Sequence, residues 1–165
     1  MKSKKIQISI IIPVYNPDKK LIFLLNSLKK EIKKFKSEFI LVNDIGDETN
    51  NKILNKLKKI HKNLRVINLK KNYGQHYATL LGMSAAKGEF LATLDEDYQH
   101  DPKYLNKMKN KLVTKKLDVV FVRFKDKKHN FSKRNFSRIN QFLLKKVFKL
   151  DPGIETSSYR LMSKT

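Results

Sequence analysis

The chain has no cysteine. That excludes a disulfide framework and any thiolate metal site, and a cytoplasmic location fits. No uninterrupted apolar run approaches the roughly 20 residues that span a bilayer. The basic start, Met1-Lys2-Ser3-Lys4-Lys5, leads straight into a short strand-like run, with no cleavable signal peptide after it. Internal repeats and a clear interdomain linker are also missing, so 165 residues read as one domain with a respectable core. Acidic residues are scarce, 15 against 37 lysines and arginines, for a formal charge of +22. Nucleic acid, an anionic membrane surface, or solvated helix faces in a lysine-rich chain would each account for that excess. The lysines are spread along nearly every predicted helix, which favours solvated faces. No nucleic-acid motif accompanies them, and no nucleic-acid partner is expected.

What the chain does have is a regular alternation. Residues 6–15 begin with alternating apolar positions and pass into Ile10-Ile11-Ile12, as in a parallel strand covered on both faces, and Pro13 is expected to end it. Leu21, Leu24, Leu25, Leu28, Ile32 and Phe35 are spaced for one face of a helix. Strands are predicted over 39–42, 64–69, 90–94 and 118–122, and helices through Ile53–Ile60, over 75–87 and from Pro102. Asp47 and Glu48 stand near the positive end of the second helix. Ala78, Gly82, Ala85 and Ala86 would let the third lie close to the sheet, and Gly88 stops it. Asp101 is the expected N-cap of the fourth helix, with Pro102 at its first position. Strand and helix in repeated succession make a doubly wound α/β domain, a mostly parallel sheet with helices on both faces. Beyond it, Phe136, Ile139, Leu143 and Val147 line one side of a helix rich in Arg and Lys. That helix either packs on the sheet or lies at an anionic membrane surface. A turn and a final short strand are expected over 151–165.

The most informative stretch is Leu94-Asp95-Glu96-Asp97-Tyr98-Gln99-His100-Asp101-Pro102. A buried strand that ends abruptly in carboxylates puts them where open α/β sheets bind ligands. Asp95 and Asp97 can reach one ion from such a strand end. Hard oxygen ligands with open positions suit Mg²⁺ or Mn²⁺ shared with substrate phosphates. An acidic loop that merely caps a helix is the plainer alternative for an isolated Asp-x-Asp.

This stretch does not stand alone. Ile10-Ile11-Ile12-Pro13-Val14-Tyr15-Asn16, Val42-Asn43-Asp44, Asn72-Tyr73-Gly74-Gln75-His76, the acidic stretch and Ser158-Tyr159-Arg160-Leu161-Met162-Ser163 come in one order and spacing. Together they resemble the family 2 inverting glycosyltransferases of the GT-A fold, within them the polyprenyl-phosphate glycosyltransferases. The likeness covers nearly the whole chain. It implies a metal-dependent enzyme that moves a sugar from a nucleotide-diphosphate sugar to a polyprenyl phosphate, peripheral at the inner face of the membrane. A homo-oligomer or a membrane subunit would be compatible with it.

By the same resemblance, Pro13, Tyr15 and Asn16 take the nucleoside, Asp44 accepts a hydrogen bond from the base, and Gly74 lets the backbone approach the nucleotide sugar. Asp95, Asp97 and Gln99 match the metal and diphosphate positions, with Asp95 and Asp97 catalytic through the metal. Arg123, Arg134 and Arg138 fall near positions that hold the acceptor phosphate. His76 and His100 read as structural hydrogen-bonding residues. Glu155 stands where the group generally has an Asp, and is the late carboxylate available as a base if the acceptor is a sugar hydroxyl in surface polysaccharide synthesis. The chain departs from the family pattern at Asn43, usually Asp, at Ile45-Gly46, usually Gly-Ser, and at Glu96, usually a small residue. The domain is expected to be short at its C-terminal end. A rival class is a non-catalytic basic module for nucleotide, nucleic acid or membrane on the same fold.

Overall fold

The computed structural model describes residues 6–122 and 157–164. Its elements run β1 (Ile8–Val14), α1 (Lys19–Glu31), β2 (Ser37–Asn43), α2 (Glu48–Ile60), β3 (Leu64–Asn68), α3 (Gln75–Ala85), β4 (Phe90–Thr93), α4 (Tyr104–Thr114), β5 (Val119–Phe121) and β6 (Arg160–Ser163). They form a six-stranded sheet in the order β3-β2-β1-β4-β6-β5. The pairs β1–β2, β2–β3 and β1–β4 are parallel, and β6 is antiparallel to both β4 and β5. The expected α/β class with a mostly parallel sheet is therefore what the chain adopts.

Two apolar layers explain the helices on both faces. Leu21, Leu24, Leu25 and Leu28 of α1, Leu54 and Leu57 of α2, and Leu105, Met108 and Leu112 of α4 meet Ile10 and Ile12 in one cluster. On the other face Ala78 of α3 packs on Ile11, Ile40 and Val42. The small residues matter there. A Cβ on Gly82 would lie 2.4 Å from the Ile11 Cγ2 atom and 3.1 Å from that of Val42, so α3 lies closer to the sheet than any larger side chain allows.

Several boundaries differ from the sequence expectation. Pro13 does not end β1; it stays in register with Val42 on β2, and the strand runs on to Val14. The Ile11 carbonyl points toward β4, where it accepts from Leu94 N at 3.3 Å, so Pro13, two residues on, faces the same side. The β4 ladder stops at Ile11, and the missing proline N–H therefore breaks no strand bond. The fourth helix begins at Tyr104 rather than Pro102, with Lys103 as its N-cap residue. The Asp101 carboxylate still accepts from Lys103 N at 3.0 Å, in the turn just ahead. The first helix stops at Glu31, before Phe35, and the third at Ala85, before Lys87. The final short strand enters the sheet between β4 and β5, with Tyr159 and Leu161 fully buried in the larger cluster. Among the described residues no helix is long and apolar enough to cross a membrane. The helix expected through Phe136 and Val147 lies outside the described residues.

Candidate active site

The carboxyl ends of β1, β2 and β4 open on a cavity of about 400 Å³. Its walls include Pro13, Tyr15, Asp44, Gly74, Asp95 and Asp97, from four of the five sequence motifs. Asn72, Gln75 and Glu96 line it too, whereas Asn16 and Gln99 do not. The topology accounts for the convergence. Parallel strands deliver every strand-end loop to one edge of the sheet, and α3 begins at that edge.

Asp95 follows directly on β4. The Gln75 amide, at the first turn of α3, donates to its Oδ1, and the Ser158 hydroxyl donates to its Oδ2 at 2.7 Å. Its backbone N–H donates to His100 Nδ1 at 3.3 Å, which places the His100 proton on Nε2. That nitrogen lies 3.9 Å from Asp95 Oδ2, and the buried ring packs on Tyr159 at a centroid distance of 5.2 Å. Thr93, on the same side of β4 as Asp95, donates to the Ser158 carbonyl at 2.7 Å and accepts from Arg160 Nε at 3.2 Å. Burial pulls the Arg160 guanidinium below its ordinary range, against the attraction of Asp95. Thus the stretch leading into β6, which threads beside β4, holds one side of Asp95 while α3 holds the other.

Asp97 shapes the next turn, its Oδ1 accepting from Gln99 N at 3.0 Å, and Tyr98 adopts a left-handed φ of 58° between them. Among the described residues no group of three His, Cys, Asp or Glu side chains gathers into a closed metal site. Two carboxylates in one wall of an open cavity still fit a hard cation, since Mg²⁺ and Mn²⁺ leave most of their octahedral shell to water and phosphate oxygens.

Asp44, which follows β2 and also lines the cavity, is buried, and its Oδ1 accepts from Tyr73 N at 2.8 Å. It does not cap α2; Asp47 does, accepting from Asn50 N at 2.6 Å. The asparagine at position 43 belongs to a neutral network. Its amide donates to Asn51 and Asn68, and its carbonyl oxygen accepts from Asn50 at 3.3 Å. A carboxylate there has no donor to give, which explains Asn43 in this setting. Gly74, at φ 89°, lets the chain turn into α3, and its N–H donates to Asn72 Oδ1 at 2.8 Å.

Glu96 carries more than its place in the sequence suggested. Its Oε1 accepts from Tyr15 N at 3.0 Å and from Asn16 N at 3.1 Å. Burial raises its carboxyl above the usual range, the two amide bonds oppose that shift, and the Asp18 and Asp97 carboxylates add to it. Gln75, Ser158 and Arg160 were also without an assigned role, although each sits inside a recognised motif. Arg123, Arg134, Arg138 and Glu155 lie outside the described residues.

Comparison with known proteins matches this arrangement. The family model described as glycosyl transferase family 2 matches residues 9–165. The uncharacterized glycosyltransferase YkcC of Bacillus subtilis is 29% identical over 98% of this chain and 51% of its own length. The undecaprenyl-phosphate 4-deoxy-4-formamido-L-arabinose transferase of Proteus mirabilis is 30% identical over 86% of this chain and 44% of its own. The chain thus spans about half the length of these relatives. Among solved structures, S. aureus TarS 1-349 in complex with UDP-GlcNAc superposes with a TM-score of 0.61 at 27% identity, covering 75% of this chain and 36% of that one. The mannosyltransferase PcManGT of Pyrobaculum calidifontis, with GDP-Man and Mn²⁺, shares the fold with a TM-score of 0.68 at 14% identity, over 98% and 45% of the two chains. With its motifs gathered on one sheet edge and the family model matched from β1 to the last residue, the chain belongs to glycosyl transferase family 2.

Proposed function

We propose that this chain transfers a sugar from a nucleotide-diphosphate sugar to a polyprenyl phosphate at the cytoplasmic membrane face, with inversion at the anomeric carbon. The observation that carries the reading is one cavity lined both by Asp44, just past β2, and by Asp95 and Asp97, just past β4, the two strands that flank β1. Relatives named for transfer to undecaprenyl phosphate support the acceptor class, and a family fold seen with GDP-Man and Mn²⁺ supports the donor.

Each part of the cavity then has a task. Asp44, with Pro13 and Tyr15, takes the base and ribose, and Gly74 admits the diphosphate close to the backbone. Asp95 and Asp97 would hold Mg²⁺ or Mn²⁺, which when bound supplies Lewis-acid neutralisation of the leaving diphosphate. Gln75 and Ser158 fix the Asp95 carboxylate from two sides, so it meets the ion without reorienting. A phosphate acceptor is already an anion at neutral pH and needs no strong base. Guanidinium groups suit its binding by paired hydrogen bonds, and Arg123, Arg134 and Arg138 are assigned that role.

Calorimetry with UDP and GDP tests the donor side. Wild-type chain is expected to bind one of them with Mn²⁺ present, and Asp97→Asn to lose the Mn²⁺-dependent part while keeping its circular dichroism and melting temperature. Undiminished Mn²⁺-dependent binding by Asp97→Asn would remove Asp97 from the site. Sugar release onto polyprenyl phosphate in vesicles, against a saccharide hydroxyl acceptor, decides the acceptor.

A further inference from the structure

The loop after β1 makes one wall of the cavity and the strand end of β4 another, yet the ladder between these neighbouring strands ends short of both. β4 pairs with β1 only as far as Ile11, through Thr93. Past that register, Val14 at the end of β1 and the Tyr15 and Asn16 that follow it make no strand bond to Asp95 or Asp97. A single side chain bridges the gap among the described residues. Glu96, between the two aspartates, sends its Oε1 to the backbone N–H groups of both Tyr15 and Asn16, at 3.0 and 3.1 Å. The other end of the Tyr15 peptide is held from α2, where Asn50 Nδ2 donates to the Tyr15 carbonyl at 2.9 Å. The loop is thus fixed on its β2 side by a neutral amide and on its β4 side by a carboxylate.

The choice of residue is telling. A carboxylate placed beside Asp18 and Asp97 meets like charge, and its second oxygen, Oε2, is buried with no hydrogen-bond partner among the described residues. Neither feature helps folding, and buried unpaired polar atoms are rare enough to call for a reason. The two backbone donors supply one. They are neighbouring amides at a strand end that no ladder partner satisfies, and one oxygen at the end of a two-carbon stem spans both.

We propose that Glu96 is a positioning residue that clamps the Tyr15–Asn16 loop to the acidic end of β4, so that nucleoside binding and cation binding support each other through it. This rests on the sugar-transfer reading above for what fills the two walls; the clamp itself does not. A cation at Asp95 and Asp97 relieves the like charge around Glu96 and so favours the clamped loop. By reciprocity, a nucleoside that needs the clamped loop favours the cation.

Hydrogen exchange tests the clamp with no ligand present. In Glu96→Ala the amides of Tyr15 and Asn16 are expected to exchange at least about tenfold faster than in wild type, with the protection of β2 and α3 amides unchanged. Glu96→Gln keeps a side-chain oxygen at the same reach and should restore most of that protection. Glu96→Asp, one methylene shorter, should not, and it replaces Glu96→Ala if the latter fails to fold. Unchanged protection of both amides in the alanine or aspartate variant overturns the proposal. Titration of UDP and GDP with and without Mn²⁺ then reads the coupling. The factor by which Mn²⁺ tightens nucleotide binding should fall toward one in Glu96→Ala, and fall in Glu96→Gln as well, which keeps the acceptor and the clamped loop but carries no charge for the cation to relieve. An undiminished factor in Glu96→Ala, with faster exchange, also overturns it. A wild-type chain that binds neither nucleotide would instead sink the sugar-transfer reading, and the exchange comparison would still decide the clamp.

Discussion

At the scale of single residues the site is a set of acceptors whose directions are fixed by unlike neighbours. Asp44 lines the cavity, and one amide N–H holds its Oδ1. Asp44→Ala is expected to weaken the matched nucleotide by about 1.5–3 kcal/mol, the range for a hydrogen bond to a charged group. Asp44→Asn keeps an acceptor for Tyr73, so it should lose affinity while the Asn72–Gly74 turn keeps its exchange protection; calorimetry and hydrogen exchange on the two variants separate the roles. Much of this was legible in the sequence, because Asp-x-Asp after a buried strand and Gly before a helix are local signals. What was not legible depends on contacts across the chain. Glu96 looks like a departure from pattern until its partners are known, and they are backbone groups about eighty residues earlier. Ser158 gives no local sign that its hydroxyl meets Asp95.

At the scale of elements, α3 shows how packing distance serves the site. Its first residue, Gln75, must reach Asp95, and its middle must lie flat on β1 and β2 for that to happen. Gly82→Ala would push a methyl group into Ile11 and Val42. The expected loss is about 1–3 kcal/mol, as for other overpacked cores, read from the urea midpoint. Nucleotide affinity should weaken with it as the helix start is lifted away from Asp95; unchanged stability would mean that the layer yields more easily than its spacing suggests. The small residues that announced this close approach were visible in the sequence, as was the strand–helix alternation. The place of β6 was not. Four residues, Arg160–Ser163, carry no periodicity that names a partner, and only the assembled sheet shows them between β4 and β5. Pro13 misled for a related reason: proline forbids a strand bond only where one would be made, and here the β4 ladder has already ended.

At the scale of the whole molecule, the charge is unevenly laid. α1, α2 and α4 carry exposed lysines, among them Lys29, Lys52 and Lys107, while α3 has none along its length. A net charge of +22 strains the folded state by self-repulsion. Screening should relieve it, so the urea midpoint is expected to rise as NaCl goes from about 20 to 300 mM. Acid acts in the other direction. Burial, with the Lys29 ammonium adding to it, holds the His61 imidazole below the usual histidine range. As pH falls through about 6.5, the unfolded chain takes a proton there that the native state refuses, and stability declines. His61→Gln should flatten that part of the profile between pH 7 and the lower folded value; an unaltered slope would assign the acid sensitivity elsewhere. The sheet order also has a bearing on how the protein comes into being at the ribosome. β5 is bonded to β6 alone among the described strands, and Asp95 receives its Ser158 partner from the stretch just before β6. Synthesis therefore delivers the first four strands, and both carboxylates of the pair, long before the pieces that complete the edge and aim Asp95. A nascent chain displays the acidic loop early but acquires the Ser158 hydroxyl that aims Asp95 only when residues 158–163 emerge, so the acidic loop exists unoriented for as long as that stretch takes to be made.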